Sequence, residues 1–137
     1  MKINAHLGFS GNCYEAFQFY AKAIGGTIAF KITYGESPVA EQTAPQDRDR
    51  IMHIRLEVGD QVIMGADAPP QLAQKPQGFC VCLNPSTPAE AERLFKNLSE
   101  GAAVQMPIQE TFWAERFAVL TDRFGTPWMI NCEKKLA

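Results

Sequence analysis

The chain has 137 residues, is 46% hydrophobic and 20% charged, and carries a formal net charge of -2. That size suits one ordinary domain or two half-size modules packed together. No acidic or basic block is present, so nucleic acid is not an expected partner. No stretch approaches the ~20 apolar residues that span a bilayer, and Met1-Lys2-Ile3-Asn4-Ala5-His6 has no apolar signal core, so a cytoplasmic location away from membranes is expected. The cysteines at 13, 80, 82 and 132 lack CxxC spacing. They are expected to be small buried hydrophobes rather than disulfides, with a reactive thiol at Cys80 or Cys82 as the minor reading.

In chain order, residues 3 to 10 alternate as a half-buried strand, with Ile3, Ala5, Leu7 and Phe9 on the apolar side. A turn at Ser10-Gly11-Asn12 leads into Cys13 to Ile24, where Ala16, Phe17, Tyr20 and Ile24 fall at helical spacing and Gly25-Gly26 ends the helix. Residues 27 to 34 are β-branched and aromatic and read as a strand. The polar loop from Gly35 to Asp49 is long enough to suggest a mobile flap or cleft rim. Ile51 to Val58 alternates, with Met52, Ile54, Leu56 and Val58 apolar, and Gly59-Asp60 turns the chain into a strand from Gln61 to Ala66. The first half therefore reads βαβββ.

Ala68 to Pro76 contains three prolines and is a linker between modules 1–67 and 77–137. The same order then recurs: a strand at 78–84, a helix at 88–100 capped by Ser86 or Thr87, and strands at 104–110, 116–121 and 127–133. Glu15-Ala16-x-x-Phe19-Tyr20 matches Glu90-Ala91-x-x-Leu94-Phe95, so the halves look duplicated. The fold class is α+β, a single domain of two tandem βαβββ modules.

A tandem βαβββ pair resembles the vicinal-oxygen-chelate superfamily of glyoxalases, bleomycin-resistance proteins and extradiol dioxygenases, in which curved mixed sheets wrap a cleft. More specifically, Gln109-Glu110-Thr111-Phe112-Trp113-Ala114 and Thr121-Asp122-Arg123-Phe124-Gly125-Thr126-Pro127-Trp128-Met129-Ile130-Asn131 resemble the PhnB-like branch, as do Phe9-x-Gly11-Asn12-Cys13-x-Glu15-Ala16, Tyr34-Gly35-Glu36 and Met52-His53. The resemblance implies a homodimer, its clefts built within or between subunits, with Phe112 or Trp113 near the seam. Some members carry a demethylubiquinone methyltransferase label, but no glycine-rich strand-to-helix loop is present to hold S-adenosylmethionine.

The superfamily's metal enzymes place His or Glu at cleft-facing strand positions, which here fall on Asn4, His53, Gly78 and Met129. Only His53 suits a hard divalent ion, so no cofactor is expected. The alternative is a divalent site of His6 and His53 completed by Glu57 or Glu110. It would serve a metal-dependent lyase, isomerase or dioxygenase-like enzyme. Without metal the cleft offers His6, His53, Arg55, Glu57, Met129 and Asn131 to a small polar ligand, with Phe112 and Trp113 adding aromatic surface. His53 is the first candidate acid or base. Glu110 is the second, because neighbouring aromatics could raise its pKa. Arg55 either pairs with a carboxylate or phosphonate or belongs to an ion pair with Glu57. Trp128 has core parity, and Asp122, Gly125 and Pro127 read as a hairpin turn. The expected function is small-molecule binding, whether as a sequestering protein or as an enzyme.

Overall fold

The computed structural model describes residues 1–135. The chain falls into two compact units, Met1–Gln74 and Lys75–Ala137, each with one four-stranded sheet. No helix among the described residues is long and apolar enough to cross a membrane.

The first unit runs β1 (Ala5–Phe9), α1 (Cys13–Tyr20), β2 (Thr27–Thr33), β3 (Ile51–Val58) and β4 (Gln61–Asp67). The sheet order is β1-β4-β3-β2, with β1 parallel to β4 and the other pairs antiparallel. β1 is shorter than its alternation suggests. Its pairing with β4 begins at Ala5, opposite Ile63, and Ile3 lies before the strand and is 86% exposed. α1 covers one face of the sheet with Cys13, Ala16, Phe17 and Tyr20, all fully buried. Its last turn, Ala21–Gly25, is π-helical, with Ala23 buried and Ile24 half-buried. Helix and sheet approach so closely at Gly65 that a β-carbon there would stand 2.6 Å from the Phe17 ring.

In β3 the buried residues are Ile51, Ile54 and Leu56, and Met52 is only half-buried. A register shift in the β2–β3 pairing, between Ile32 and Thr33, breaks the strict alternation at this end and turns Ile51 inward. The loop from Gly35 to Asp49, read as a flap or cleft rim, has hydrogen bonds of its own. It contains three 3-10 turns, Tyr34–Glu36, Ala40–Gln42 and Pro45–Asp47. Thr33 and Glu36 form a reciprocal cap on the first turn. Tyr34 N donates to Arg50 O at 3.0 Å and Gly35 N to Arg48 O at 2.8 Å, closing the base of the loop.

Asp67, which pattern reading had passed over, ties this unit together. Its buried carboxylate accepts from Gly11 N at 2.7 Å and Cys13 N at 3.1 Å through Oδ1, and from Ile51 N at 2.8 Å through Oδ2. It caps α1 from another strand, which Asn12 does not do with its own side chain.

The second unit runs β5 (Val81–Leu83), α2 (Pro88–Leu98), β6 (Ala103–Gln109), β7 (Ala114–Thr121) and β8 (Pro127–Glu133), in the order β5-β8-β7-β6. β5 is three residues rather than the seven expected, and Gly78 at φ +81° cannot be extended strand. Thr87 is the cap of α2, its hydroxyl accepting from Glu90 N at 3.2 Å. Ala91, Leu94 and Leu98 of α2 and Trp128, Ile130, Ala118 and Leu120 of the sheet make the core. Asp122 organises the turn as its sequence suggests. It accepts from Phe124 N, Thr126 N and the Trp128 indole, while Gly125 takes φ +94°.

Candidate ligand-binding faces

In each unit one sheet face packs on the helix and the other carries the polar candidates, because successive strand residues point to opposite sides. On the open face of the first sheet, cross-strand register places His6 beside Met64, Met64 beside Arg55, and Arg55 beside Phe30. His53 lies one step further along β3, opposite Ile32. The His6 and His53 rings stack with centroids 6.4 Å apart and planes at 24°. Phe30 packs against His53 at 6.0 Å and is half exposed. Arg55 Nε lies 3.4 Å from Glu57 Oε1, both side chains being solvated. Thus His6, His53, Arg55 and Glu57 share one surface, as their parity predicts. Phe30 was missed, since an irregular β2 pairing between Ile28 and Phe30 obscures its side.

On the second sheet, Met129 and Asn131 also project from the open face. Cys82, Met129, Val119 and Met106 form one cross-strand row, and Asn131, Phe117 and Gln109 another. Asn131 Oδ1 accepts from the Trp113 indole at 3.2 Å, and its amide nitrogen lies 3.5 Å from Asn84 Oδ1 and 3.4 Å from Glu133 Oε1. Trp113 makes T-shaped contacts with Phe117 at 5.0 Å and with Phe112 at 4.8 Å, and Phe112 is 89% exposed.

Glu110 differs from expectation. It is solvent-facing, and Lys134 Nζ lies 2.9 Å from Oε2. The hydrogen bond from Lys134 and then that residue's charge hold the carboxyl below the usual carboxylate range rather than above it. Desolvation raises it less than Lys134 lowers it, so at neutral pH it is an ionised base and not a stored acid.

The cysteines divide by environment. Cys13 and Cys132 are buried, Cys80 is half-buried, Cys82 is exposed, and all are free thiols. Burial pushes the Cys13 thiol far up, with Asp67 adding to the effect, and burial likewise raises Cys132.

Among the described residues no three His, Cys, Asp or Glu side chains converge as a metal-ligand set. Glu57 does not complete a triad with His6 and His53, and Asn4 donates to Val62 O at 3.2 Å. Away from the open face, a cavity of about 250 Å³ is lined by Tyr34, Gln42, Asp47, Arg50, Pro70 and Gln71. Arg50 spans its edge, donating to Ala68 O at 2.7 Å. Pattern reading missed it because its walls are irregular loop.

Two βαβββ units of this topology define the glyoxalase/bleomycin-resistance/dioxygenase class of fold. Solved proteins of that family and fosfomycin resistance proteins share the fold at TM-scores of 0.63 to 0.68 and 14% identity or less. Within this class the chain belongs to the PhnB-like family whose model, described as 3-demethylubiquinone-9 3-methyltransferase, matches residues 1–131. It is similar to protein PA1353 from Pseudomonas aeruginosa, at 44% identity and TM-score 0.90 over 98% of this chain and 99% of that one. It is 34% identical to protein YjdN of Escherichia coli K12 over 98% of this chain and 97% of that protein. A PhnB protein from Bacillus cereus shares the fold at 21% identity and TM-score 0.78, covering 96% and 99% of the two chains.

The family's description implies S-adenosylmethionine, and the residues present do not fit it. The strand-to-helix connection at 10–12 has no glycine-rich cradle, and the amides of Gly11 and Cys13 are already taken by Asp67. The connection into α2 is closed by the Thr87 cap and Pro88.

Proposed function

We propose that this protein binds a small aromatic or amphipathic anion on the open face of its first sheet, without a resident divalent metal. The observation that carries this reading is the shared surface of His6, His53, Arg55 and Phe30. Arg55 supplies a planar cation for a carboxylate or phosphonate, and its solvated pair with Glu57 is readily exchanged for a ligand anion. Phe30 and the stacked imidazoles give a ring a surface to lie on, and the imidazole nitrogens can hydrogen-bond the anion. On the second sheet, Trp113, Met129 and Asn131 offer a matching mixture of apolar surface and amide. The protein is expected to act as a homodimer, which multi-angle light scattering tests directly.

Phenylphosphonate combines both required features and serves as the probe. In calorimetric titration with chelator present, Arg55→Ala should weaken binding by about tenfold, close to 1.4 kcal/mol. Phe30→Ala and His53→Ala should each weaken it several-fold, since both rings line the surface the ligand lies on. An affinity unchanged in Arg55→Ala, or no binding by the unaltered protein, refutes the assignment.

A further inference from the structure

Among the described residues β5 is an edge strand of the second sheet, paired only with β8, and it carries Cys82 directly opposite Met129 in a parallel register. Paired positions put both side chains on the same face, so a thiol and a thioether stand side by side. Cys80 precedes Cys82 by two residues, the spacing that returns an extended chain to the same side. Burial first and the neighbouring Cys80 next push the Cys82 thiol up. Cys82 is exposed, Cys80 half-buried and Met129 half-buried, and neither cysteine is tied into a disulfide. The Cys82 thiol is 3.8 Å from Asn84 Oδ1, and the Asn84 amide reaches back to the Cys82 carbonyl at 3.5 Å, which steadies this end of the strand.

We infer that Cys80, Cys82 and Met129 form a binding site for a soft monovalent d10 cation, cuprous copper being the representative. Thiolate and thioether sulfur select Cu(I) over hard divalent ions, and Cu(I) is content with two or three ligands, so the site does not need a fourth donor. The step balances without redox change: Cu⁺ replaces the protons of the two thiols, two Cu–S bonds form, two protons leave to solvent, and the Met129 thioether adds as a neutral third donor. Binding therefore weakens as pH falls, since protons compete for both thiolates. The other two cysteines, Cys13 and Cys132, are buried in the cores of their units and do not compete. This site belongs to the second unit, and the inference does not depend on the first sheet's face binding anything.

The test uses the full chain, reduced, tag-free and anaerobic, titrated with Cu(I) in the presence of ferrozine, whose colour reports the copper it holds. One Cu(I) per chain should be withheld from ferrozine. Cys80→Ser and Cys82→Ser should each abolish this, and Met129→Leu should weaken it several-fold. Circular dichroism of each variant checks folding. As a measurement that needs no variant, Cu(I) should protect Cys80 and Cys82 of the unaltered protein from iodoacetamide, read by peptide mass spectrometry. No copper withheld, equal retention in folded Cys80→Ser and Cys82→Ser, or alkylation of both cysteines at the same rate with and without Cu(I) overturns the inference.

Discussion

Replacing Asp67 by alanine tests the reasoning about the first unit most severely. The carboxylate accepts three backbone N–H groups at 2.7, 2.8 and 3.1 Å, and its bonds to Cys13 N and Ile51 N are buried. Those two donors belong to the start of α1 and the start of β3, so no regular secondary structure can absorb them. A buried donor left unsatisfied costs roughly 1–3 kcal/mol, and with a smaller loss at the part-buried Gly11 N the total is about 4 kcal/mol. Spread over the unfolding entropy of a chain this size, that is a fall of about 14 °C in Tm. Asp67→Asn keeps one carbonyl oxygen but sets an amide nitrogen against one of the donors, and should cost about half as much, roughly 2 kcal/mol. Urea unfolding followed by circular dichroism measures both, and hydrogen exchange should show the Gly11, Cys13 and Ile51 amides losing protection together. A loss below about 1 kcal/mol in Asp67→Ala would refute the view that this carboxylate fastens helix to sheet.

Gly65→Ala drives a β-carbon to 2.6 Å from Phe17 Cε1 and 2.9 Å from the Leu7 carbonyl, and should destabilise by about 2–3 kcal/mol in the same assay, with Phe17→Leu restoring part of the loss. Glu110 should titrate below ordinary glutamates in carbon-detected NMR because of Lys134, and Lys134→Ala should bring it back up. With a lowered folded pKa, the contribution of this pair is present above the unfolded glutamate value and disappears as pH falls through the folded one. Iodoacetamide should label Cys82 in the native protein while Cys13 and Cys132, kept protonated by burial, react only on unfolding. Acrylamide should quench Trp113, which is 41% exposed, and not the buried Trp128, so Trp113→Phe should remove nearly all quenching.

Element order was legible because it rests on periodicity. β3 and β8 have the bounds their alternation indicates, and α2 begins where Thr87 and Pro88 place it. Parity along β3 also placed His53, Arg55 and Glu57 on one face. What escaped was long-range. Phe30 joins that face through cross-strand register and an irregular β2 pairing, and neither shows in a local pattern. Asp67 serves positions 54 and 56 residues away in sequence, so no capping motif announces it. The sign of the Glu110 shift was misjudged because Phe112 and Trp113 are near in sequence, whereas Lys134, which decides it, comes from beyond β8. β5 fell short because an apolar alternation at 78–84 hides the turn conformation of Gly78.

The central claim, a small-molecule face that works without a divalent metal, is met most directly by one measurement. Phenylphosphonate affinity is determined by calorimetry on chelator-treated protein, then again with Zn²⁺, Ni²⁺, Mn²⁺ or Fe²⁺ present. The account predicts the same affinity throughout, lowered about tenfold by Arg55→Ala. Binding that appears only with a divalent ion, and is abolished by His6→Ala or His53→Ala, would contradict it and would turn the account to a metal site of His6 and His53, the arrangement a metal-dependent lyase, isomerase or dioxygenase-like enzyme requires.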